Sequence, residues 1–113
     1  MAADRRSSWL KGVLDLLVLS LLRDGESYGY EIAKALAEAG LGEIKGGTLY
    51  PVLNRLEEAG LVEAEFRAAE RGPGRRYYRL TALGRERLAA ETGAWLTFHS
   101  AVQTMLSPGG TRP

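Results

Sequence analysis

The chain contains no cysteine, and this absence removes several kinds of chemistry. Without thiols it can have no disulfide framework, no thiolate metal site and no cysteine nucleophile. Its one histidine, His99, stands among apolar residues in a predicted helix, so neither a metal site nor a nucleophile pair is indicated. No glycine-rich phosphate loop precedes a helix, because Gly72-Pro73-Gly74 lies between predicted strands. We therefore predict that the chain is not an enzyme, has no catalytic residue and holds no metal or other cofactor.

Long apolar runs are also missing from the sequence. The most apolar stretch, Val13 to Leu22, is interrupted by Asp15 and is too short to cross a bilayer. It has no small-residue cleavage site, which makes it a poor signal peptide. We expect a cytoplasmic protein with no membrane partner, and 113 residues give material for a single compact core.

The net charge is low, because the chain carries a formal charge of only +1. Its distribution along the chain is uneven. Between Arg67 and Arg79 the sequence has five arginines and one glutamate. The total charge points to no partner, but a local excess of arginine is typical of a surface that meets a polyanion.

The apolar spacing predicts a first helix over Trp9–Leu22 with two apolar faces. A domain this small has material to cover one of these faces, so we expect another chain to cover the second. The segment Asp24–Ser27 ends this helix, and Ser27 is the predicted N-cap of the next one. That second helix is predicted to run from about Tyr28 to Ala39, and Gly40 ends it.

A third helix is predicted to begin near Thr48, which can cap it, and to stop at Gly60. Pro51 is tolerated because the amides of the first turn have no helical partner. At about 100° per residue the apolar side chains fall within one sector, which leaves the polar residues around the rest of the circumference. The predicted inward residues are Leu49, Val52, Leu53 and Leu56.

Two strands are predicted next, over Leu61–Arg67 and Arg75–Leu80. In the first strand Val62, Ala64 and Phe66 alternate with charged residues, as in a strand with one buried face. The bend Gly72-Pro73-Gly74 joins the strands into a hairpin that carries arginine on both sides of its tip. The predicted fold class is therefore mainly α with a small β-hairpin.

Thr81 is the predicted cap of a last helix that runs to about Leu106. About 25 residues at 1.5 Å each give a helix roughly 37 Å long, which is more than a domain of this size needs. Apolar residues recur along it at the spacing of a seam between paired helices. We predict a homodimer whose interface contains Leu10, Leu16, Leu88, Trp95, Val102 and Met105.

The order of helix, turn, helix and arginine-tipped hairpin predicts a protein that reads double-stranded DNA. The third helix is the candidate for the major groove, since its N-terminal half contains no acidic residue. Asn54 has the amide that matches adenine, and Arg55 can bind guanine or phosphate. Arginines at the hairpin tip fit a minor groove or the phosphate backbone. The predicted DNA-binding residues are Tyr28, Lys45, Thr48, Tyr50, Pro51, Asn54, Arg55, Arg71, Arg75 and Arg76.

Simpler interpretations of these features remain open at this point. The polar side of the third helix can be an ordinary solvated surface, and the arginine-rich tip can be a solubilising turn. Trp95 on the last helix either packs in the dimer seam or contacts a flat aromatic molecule held between two protomers. In the second case, Phe98, Leu14 and Asp15 are the other predicted wall residues.

The segment Gly47-Thr48-Leu49-Tyr50-Pro51-Val52-Leu53-Asn54-Arg55-Leu56-Glu57-Glu58-Ala59-Gly60-Leu61, preceded by Tyr28-Gly29-Tyr30-Glu31-Ile32, strongly resembles the PadR family of bacterial transcriptional regulators. The segment Arg75-Arg76-Tyr77-Tyr78-Arg79-Leu80-Thr81 and Gly84 complete the resemblance. It implies a winged helix-turn-helix and a homodimer formed through a long C-terminal dimerisation helix. It also implies repression of genes for detoxification or efflux. The length resembles that of the short subclass with one C-terminal helix, some members of which bind aromatic drugs beside a tryptophan at the position of Trp95.

These observations predict a dimeric repressor whose two recognition helices enter successive major grooves, about 34 Å apart, on a pseudo-palindromic operator. The predicted organisation is a flexible arm over 1–8, a DNA-binding domain over 9–80, a dimerisation helix over 81–106 and a flexible tail over 107–113. A possible small aromatic effector would change the separation of the two DNA-binding heads. The alternatives are a winged helix used for protein contact, and a protein that binds planar aromatic molecules without an operator.

Overall fold

The computed structural model describes residues 5–109, and the outermost parts of the predicted arm and tail, 1–4 and 110–113, lie outside the described residues. Five α-helices and three strands follow one another, with a turn of π-helix at Ala37–Leu41. The helices are α1 (Arg6–Lys11), α2 (Leu14–Leu21), α3 (Gly29–Leu36), α4 (Gly46–Glu58) and α5 (Ala82–Leu106). The strands are β1 (Ser27–Tyr28), β2 (Val62–Arg67) and β3 (Arg75–Leu80).

The prediction of one continuous helix over Trp9–Leu22 is wrong, because a turn at Gly12 and Val13 separates α1 from α2. The amide of Val13 donates to the carbonyl of Leu10 at 2.9 Å, which closes the turn. Glycine weakens a helix interior, and its position between two apolar segments accounts for the break. Residues 6–8, which we expected in a flexible arm, form the beginning of α1.

The start of α3 also differs from the prediction. Ser27 does not cap this helix, since it belongs to β1 and its hydroxyl donates to the Glu31 carboxylate at 2.7 Å. Tyr28 takes the extended N-cap position, with no side-chain capping bond. At the other end Gly40 has φ 96°, a left-handed conformation that favours glycine and that ends the helical segment as predicted.

The three strands form one antiparallel sheet in the order β1-β3-β2. The hairpin of β2 and β3 confirms the two predicted strands, whereas β1 was not predicted. In the central strand, Tyr78 lies opposite Ser27 of β1 and Ala64 of β2, and only 1% of its surface is exposed. Phe66 was predicted to alternate inward but is 63% exposed, near the end of β2 that leads into the tip of the hairpin.

The core lies between the inner face of this sheet and helices α2, α3 and α4. Helix α5 joins it only at its beginning, where Gly84 and Leu88 are buried. A side chain at Gly84 would collide with the carbonyl of Leu61, so the close contact requires glycine. Thr81 caps α5 as predicted, because its hydroxyl accepts the Gly84 amide at 3.0 Å. The fold is therefore mainly helical, with a small sheet and a long last helix.

The outer face of the sheet carries a ladder of ion pairs. Arg67 hydrogen-bonds the Glu26 carboxylate with two nitrogens and lies over the ring of Tyr77, 4.3 Å from its centroid. Glu65 accepts a further bond from Arg67 at 3.2 Å. The hydrogen bond from Arg67 lowers the pKa of Glu26, and hydrogen bonds to Glu26 and Glu65 raise the pKa of Arg67. These contacts tie β2 to the segment that leads into β1.

Stability should depend on pH through Glu26. Its pKa is lower in the folded chain than in the unfolded chain, so its stabilising effect is complete above the ordinary glutamate pKa of about 4.3. It disappears as the pH falls through the lower folded-state value. We expect Glu26→Gln to lower the urea midpoint at pH 7, and the difference from the unmodified protein to shrink as the solution is acidified.

Asp24→Asn is the matched control for this prediction. Asp24 lies two residues earlier and forms no ion pair within residues 5–109, so its substitution should leave the urea midpoint nearly unchanged at every pH. A Glu26→Gln difference that stays constant from pH 7 to pH 3 would contradict the assignment.

Candidate nucleic-acid interface

Helix α4 is amphipathic, and its buried side fixes the direction of its other residues. Leu53 is completely buried, and the predicted inward residues Leu49, Val52 and Leu56 are nearly so. At about 100° per residue, the direction opposite this buried sector is centred on Pro51 and Asn54. Both residues are exposed. We call the surface formed by Thr48, Tyr50, Pro51, Asn54 and Arg55 the outward face of α4.

The helix begins two residues earlier than predicted, at Gly46, with Lys45 at the N-cap position. Thr48 therefore does not cap the helix, and its amide donates to the carbonyl of Lys45 at 2.9 Å. Pro51 falls in the second turn, where its missing amide leaves the carbonyl of Gly47 without the usual donor. Because Gly47 is exposed, water can satisfy that carbonyl. The predicted reason for tolerating Pro51, a place in the first turn, is wrong.

Tyr50 lies at the edge of the outward face that is nearer to α3. A Cβ on Gly29 would collide with the Tyr50 hydroxyl and ring, so the tyrosine packs directly against the first residue of α3. The ring keeps 46% of its surface exposed. The missing side chain at Gly29 thus leaves room for Tyr50 to pack beside the outward face of α4, with its phenol accessible.

Arg55 lies at the opposite edge of the outward face, nearer to α2. Its Nη2 donates to Oδ1 of Asp15 at 2.8 Å, which forms an ion pair between α4 and α2. The two side chains are 57% and 44% exposed. The sequence assigned Arg55 to DNA and Asp15 to a ligand wall, and their contact across 40 residues was not predicted.

The tip of the hairpin extends away from the core, and Arg71 there is exposed. Arg75 begins β3, and its guanidinium lies 4.3 Å from the centroid of the Tyr28 ring. Tyr28 in turn meets Tyr77 edge to face, with centroids 5.3 Å apart. Neither Arg71 nor Arg75 has an ion pair within residues 5–109, which leaves both charges available to an anion.

Arg76 does not share the position of Arg75, because adjacent residues of a strand point to opposite faces. Its Nη2 donates to both oxygens of Glu57 at 2.8 and 3.0 Å. The hydrogen bond to Glu57 raises the pKa of Arg76, and burial raises the pKa of the neighbouring Tyr78 phenol. Of the three predicted tip arginines, Arg71 and Arg75 therefore carry uncompensated charges, whereas the charge of Arg76 is compensated by Glu57.

A second group of predicted residues meets where α2 faces α5. Asp15, Trp95 and Phe98 line one groove of about 380 Å³, together with Leu16 and Glu91. His99, which the sequence indicated as an ordinary helix residue, stacks on Trp95 with centroids 5.3 Å apart and planes inclined by 17°. A spacing of four residues on a helix was the signal available for this contact.

Leu14 is not part of this groove. It is 3% exposed and lines the groove on the other side of α2, beside α4. The predicted ligand wall is therefore corrected to Trp95, Phe98 and Asp15.

The predicted dimer residues fall into two groups. Leu10 and Leu88 are 7% and 5% exposed within the core of their own chain, which leaves them little surface for a partner. Val102 and Met105 are 39% and 84% exposed on the free end of α5. The remaining two residues, Leu16 and Trp95, are half-buried.

Within the part of the chain that the structure describes, no group of acidic or histidine side chains is arranged to hold a metal ion. The same residues contain no helix that is both long enough and apolar enough to cross a membrane.

Comparison with known proteins identifies the fold. The model of the transcriptional regulator PadR-like family matches residues 18–90. A transcriptional regulator of Mycobacterium tuberculosis is 36% identical over 84 residues, which cover 74% of this chain and 77% of that protein.

Solved structures give the same result. A PadR-like transcriptional regulator of Bacillus cereus is 33% identical with a TM-score of 0.78, and the match covers 89% of this chain and 98% of that one. A PadR family regulator of Eggerthella lenta is 36% identical with a TM-score of 0.78, covering 89% and 88% of the two chains. The protein described here belongs to the PadR-like family of transcriptional regulators, which bind DNA through a winged helix and are not enzymes.

Proposed function

We propose that the protein is a homodimeric repressor that acts in the cytoplasm on a pseudo-palindromic operator and responds to a flat aromatic effector. Its targets would be genes for detoxification or efflux. The observation that carries the proposal is the outward face of α4, where Pro51 and Asn54 are exposed directly opposite the buried side of the helix.

In this proposal α4 enters the major groove. Asn54, at the centre of the outward face, pairs its amide with adenine, while Arg55 at the edge reaches guanine. Thr48, Tyr50 and Lys45 contact phosphates around the first turns of the helix. Arg71 and Arg75 at the hairpin follow the backbone or enter the adjacent minor groove, and Arg75 is held in place by the Tyr28 ring. Arg76 contributes less than these two, because Glu57 already compensates its charge.

The proposed division of the chain places the DNA-binding domain over 9–80 and the dimerisation helix over 81–106. Support comes from α5, because beyond Leu88 none of its described residues is buried by its own chain. Phe98 and Met105 are 63% and 84% exposed and lie seven residues apart, as a helix seam requires. The proposed assignment to the short subclass is supported by the Bacillus cereus regulator, 98% of whose chain is covered by this one.

The effector site proposed for the dimer is the groove lined by Trp95, Phe98 and Asp15. Two aromatic rings, Trp95 and Phe98, offer flat surfaces for stacking. The carboxylates of Asp15 and Glu91 line the same groove, so a planar cation suits it better than an anion. The homodimer would bring two such grooves together across its two-fold axis.

Two substitutions should distinguish base contacts from phosphate contacts in DNA binding. On duplexes cut from the region upstream of its own gene, we expect Asn54→Ala to cost about 1–3 kcal/mol at operator sequences. Arg75→Ala should weaken binding to all sequences and make the salt dependence shallower by roughly one phosphate contact for each protomer on the DNA. Fluorescence anisotropy between about 50 and 200 mM salt measures both effects.

The control for charge is Arg87→Ala, which removes an arginine from α5 and should change neither specificity nor the salt slope. Wild-type affinity that is independent of salt would contradict DNA binding and favour the alternative of a winged helix used for protein contact.

The dimer proposal is tested on the free end of α5. Val102→Glu would place an unpaired carboxylate in the seam, at a cost of about 3 kcal/mol or more, which raises the dimer dissociation constant at least about a hundredfold. Sedimentation equilibrium measures that constant. Gln103→Glu adds the same charge to the neighbouring residue outside the seam and should leave the dimer intact. A monomeric wild type, or equal effects of the two substitutions, would refute the seam.

The effector proposal is tested with a planar cationic dye. We expect Trp95→Ala to weaken dye binding, measured by calorimetry, by about tenfold or more, since an aromatic stack and its buried area are lost. Trp9 is 71% exposed on α1, so Trp9→Ala serves as the control and should bind the dye like the unmodified protein. Unchanged binding by Trp95→Ala would rule out the groove as the effector site.

A further inference from the structure

The ion pair between Asp15 and Arg55 contains one arginine of the outward face of α4. It is a single contact, from one guanidinium nitrogen to one carboxylate oxygen at 2.8 Å. The pair between Arg67 and Glu26 is different, since it uses two nitrogens and two oxygens. Arg55 therefore keeps donors that Asp15 does not use.

The Asp15–Arg55 pair adds little to the stability of the fold. Both side chains are about half exposed, and ion pairs in that setting contribute little because water and salt screen them. A competing acceptor can therefore take Arg55 away from Asp15 without disturbing the core. Any functional effect of the pair therefore concerns the surface of α4 that the proposed function places against DNA.

Asp15 has opposite effects on the two acceptors that DNA offers to Arg55. A phosphate is an anion, and the carboxylate of Asp15 repels it at the place where it would meet Arg55. The edge of guanine is neutral and presents two acceptors, which match the fork of an arginine better than the single oxygen of Asp15 does. Phosphates occur in every duplex, whereas a guanine in the correct register occurs only at a specific site.

We propose that Asp15 is a specificity-determining residue of the DNA interface. It withholds Arg55 from the phosphates of unrelated DNA and releases it to the edge of a guanine in the operator. Asp15 contacts no base in this arrangement and acts through the position and charge of Arg55. The proposal rests on the operator binding proposed above and adds the residue that sets the ratio between operator and random DNA.

The test compares two duplexes of equal length, one from the upstream region that the protein binds and one of random sequence. Asp15→Asn keeps the size of the side chain and removes its charge. For each protomer bound to the duplex, it should tighten binding to random DNA by about five- to tenfold near 0.1 M salt and steepen the salt slope by about 0.9, the effect of one added phosphate contact. Operator affinity should change by no more than about twofold per protomer, so that the ratio of the two affinities falls at least about 2.5-fold per protomer.

Two further variants isolate the contact. Glu63→Gln removes the carboxylate of an exposed ion pair with Arg79 on the outer face of the sheet, at 3.3 Å, and reproduces the change in net charge alone. It should alter both affinities equally and by less. In an Arg55→Gln background, Asp15→Asn should add no more than Glu63→Gln does, because the arginine that it controls is gone.

Equal gains on both duplexes, or an Asp15→Asn effect that persists without Arg55, would overturn the role of Asp15 while leaving operator binding in place. A wild-type protein that binds the upstream and random duplexes equally would instead overturn the proposed function. Urea midpoints of all variants, expected to lie close to that of the wild type, show that the affinities refer to folded protein.

Discussion

The burial of one side of α4 is the constraint on which the proposed DNA-binding surface depends. Its four inward aliphatic side chains contribute roughly 1.5–3 kcal/mol each, a sum comparable with the total stability of a domain. Turning the helix by one residue to bring the amide of Asn54 into the apolar core would expose Val52, which is buried. The direction of Pro51 and Asn54 is thus set by packing on the other side of the helix, and no contact on the outward face is needed to maintain it.

Helix α5 shows the reverse situation. Its first turns are fixed by the Thr81 cap and the contact of Gly84 with Leu61, but beyond the half-buried Trp95 the helix projects from the core without cover. A helix segment of this length is marginal in water unless its apolar side is buried. The exposed side chains of Phe98 and Met105 therefore need to be covered, and the single chain does not cover them. In the proposed homodimer a second copy would cover them and would also fix the distance between the two DNA-binding heads, so one surface would serve both stability and operator spacing.

Periodicity in the sequence was sufficient to predict the elements that have it. The inward residues of α4, the two strands of the hairpin and both ends of α5 are as expected, because each has a repeated spacing or a cap. The short strand β1 (Ser27–Tyr28) has no room for alternation, and the break at Gly12 is a local event within a regular apolar pattern. The partners of charged residues could not be predicted from the sequence either. Arg76 and Glu57, for example, are 19 residues apart and meet only after the hairpin packs beside α4.

Counting arginines along the hairpin overstated the charge that it offers to DNA. In the structure, these arginines differ in how strongly other residues of the protein hold them. Arg67 is held by two-point bonding to Glu26 and so belongs to the sheet, whereas Arg75 rests on an aromatic ring that leaves its charge uncompensated. Arg55 lies between these cases, with a partner that holds it through one bond. Asp15 lines both the groove beside α4 that contains Arg55 and the groove that contains Trp95 and Phe98, so one carboxylate lies between the proposed effector site and the arginine proposed to read DNA.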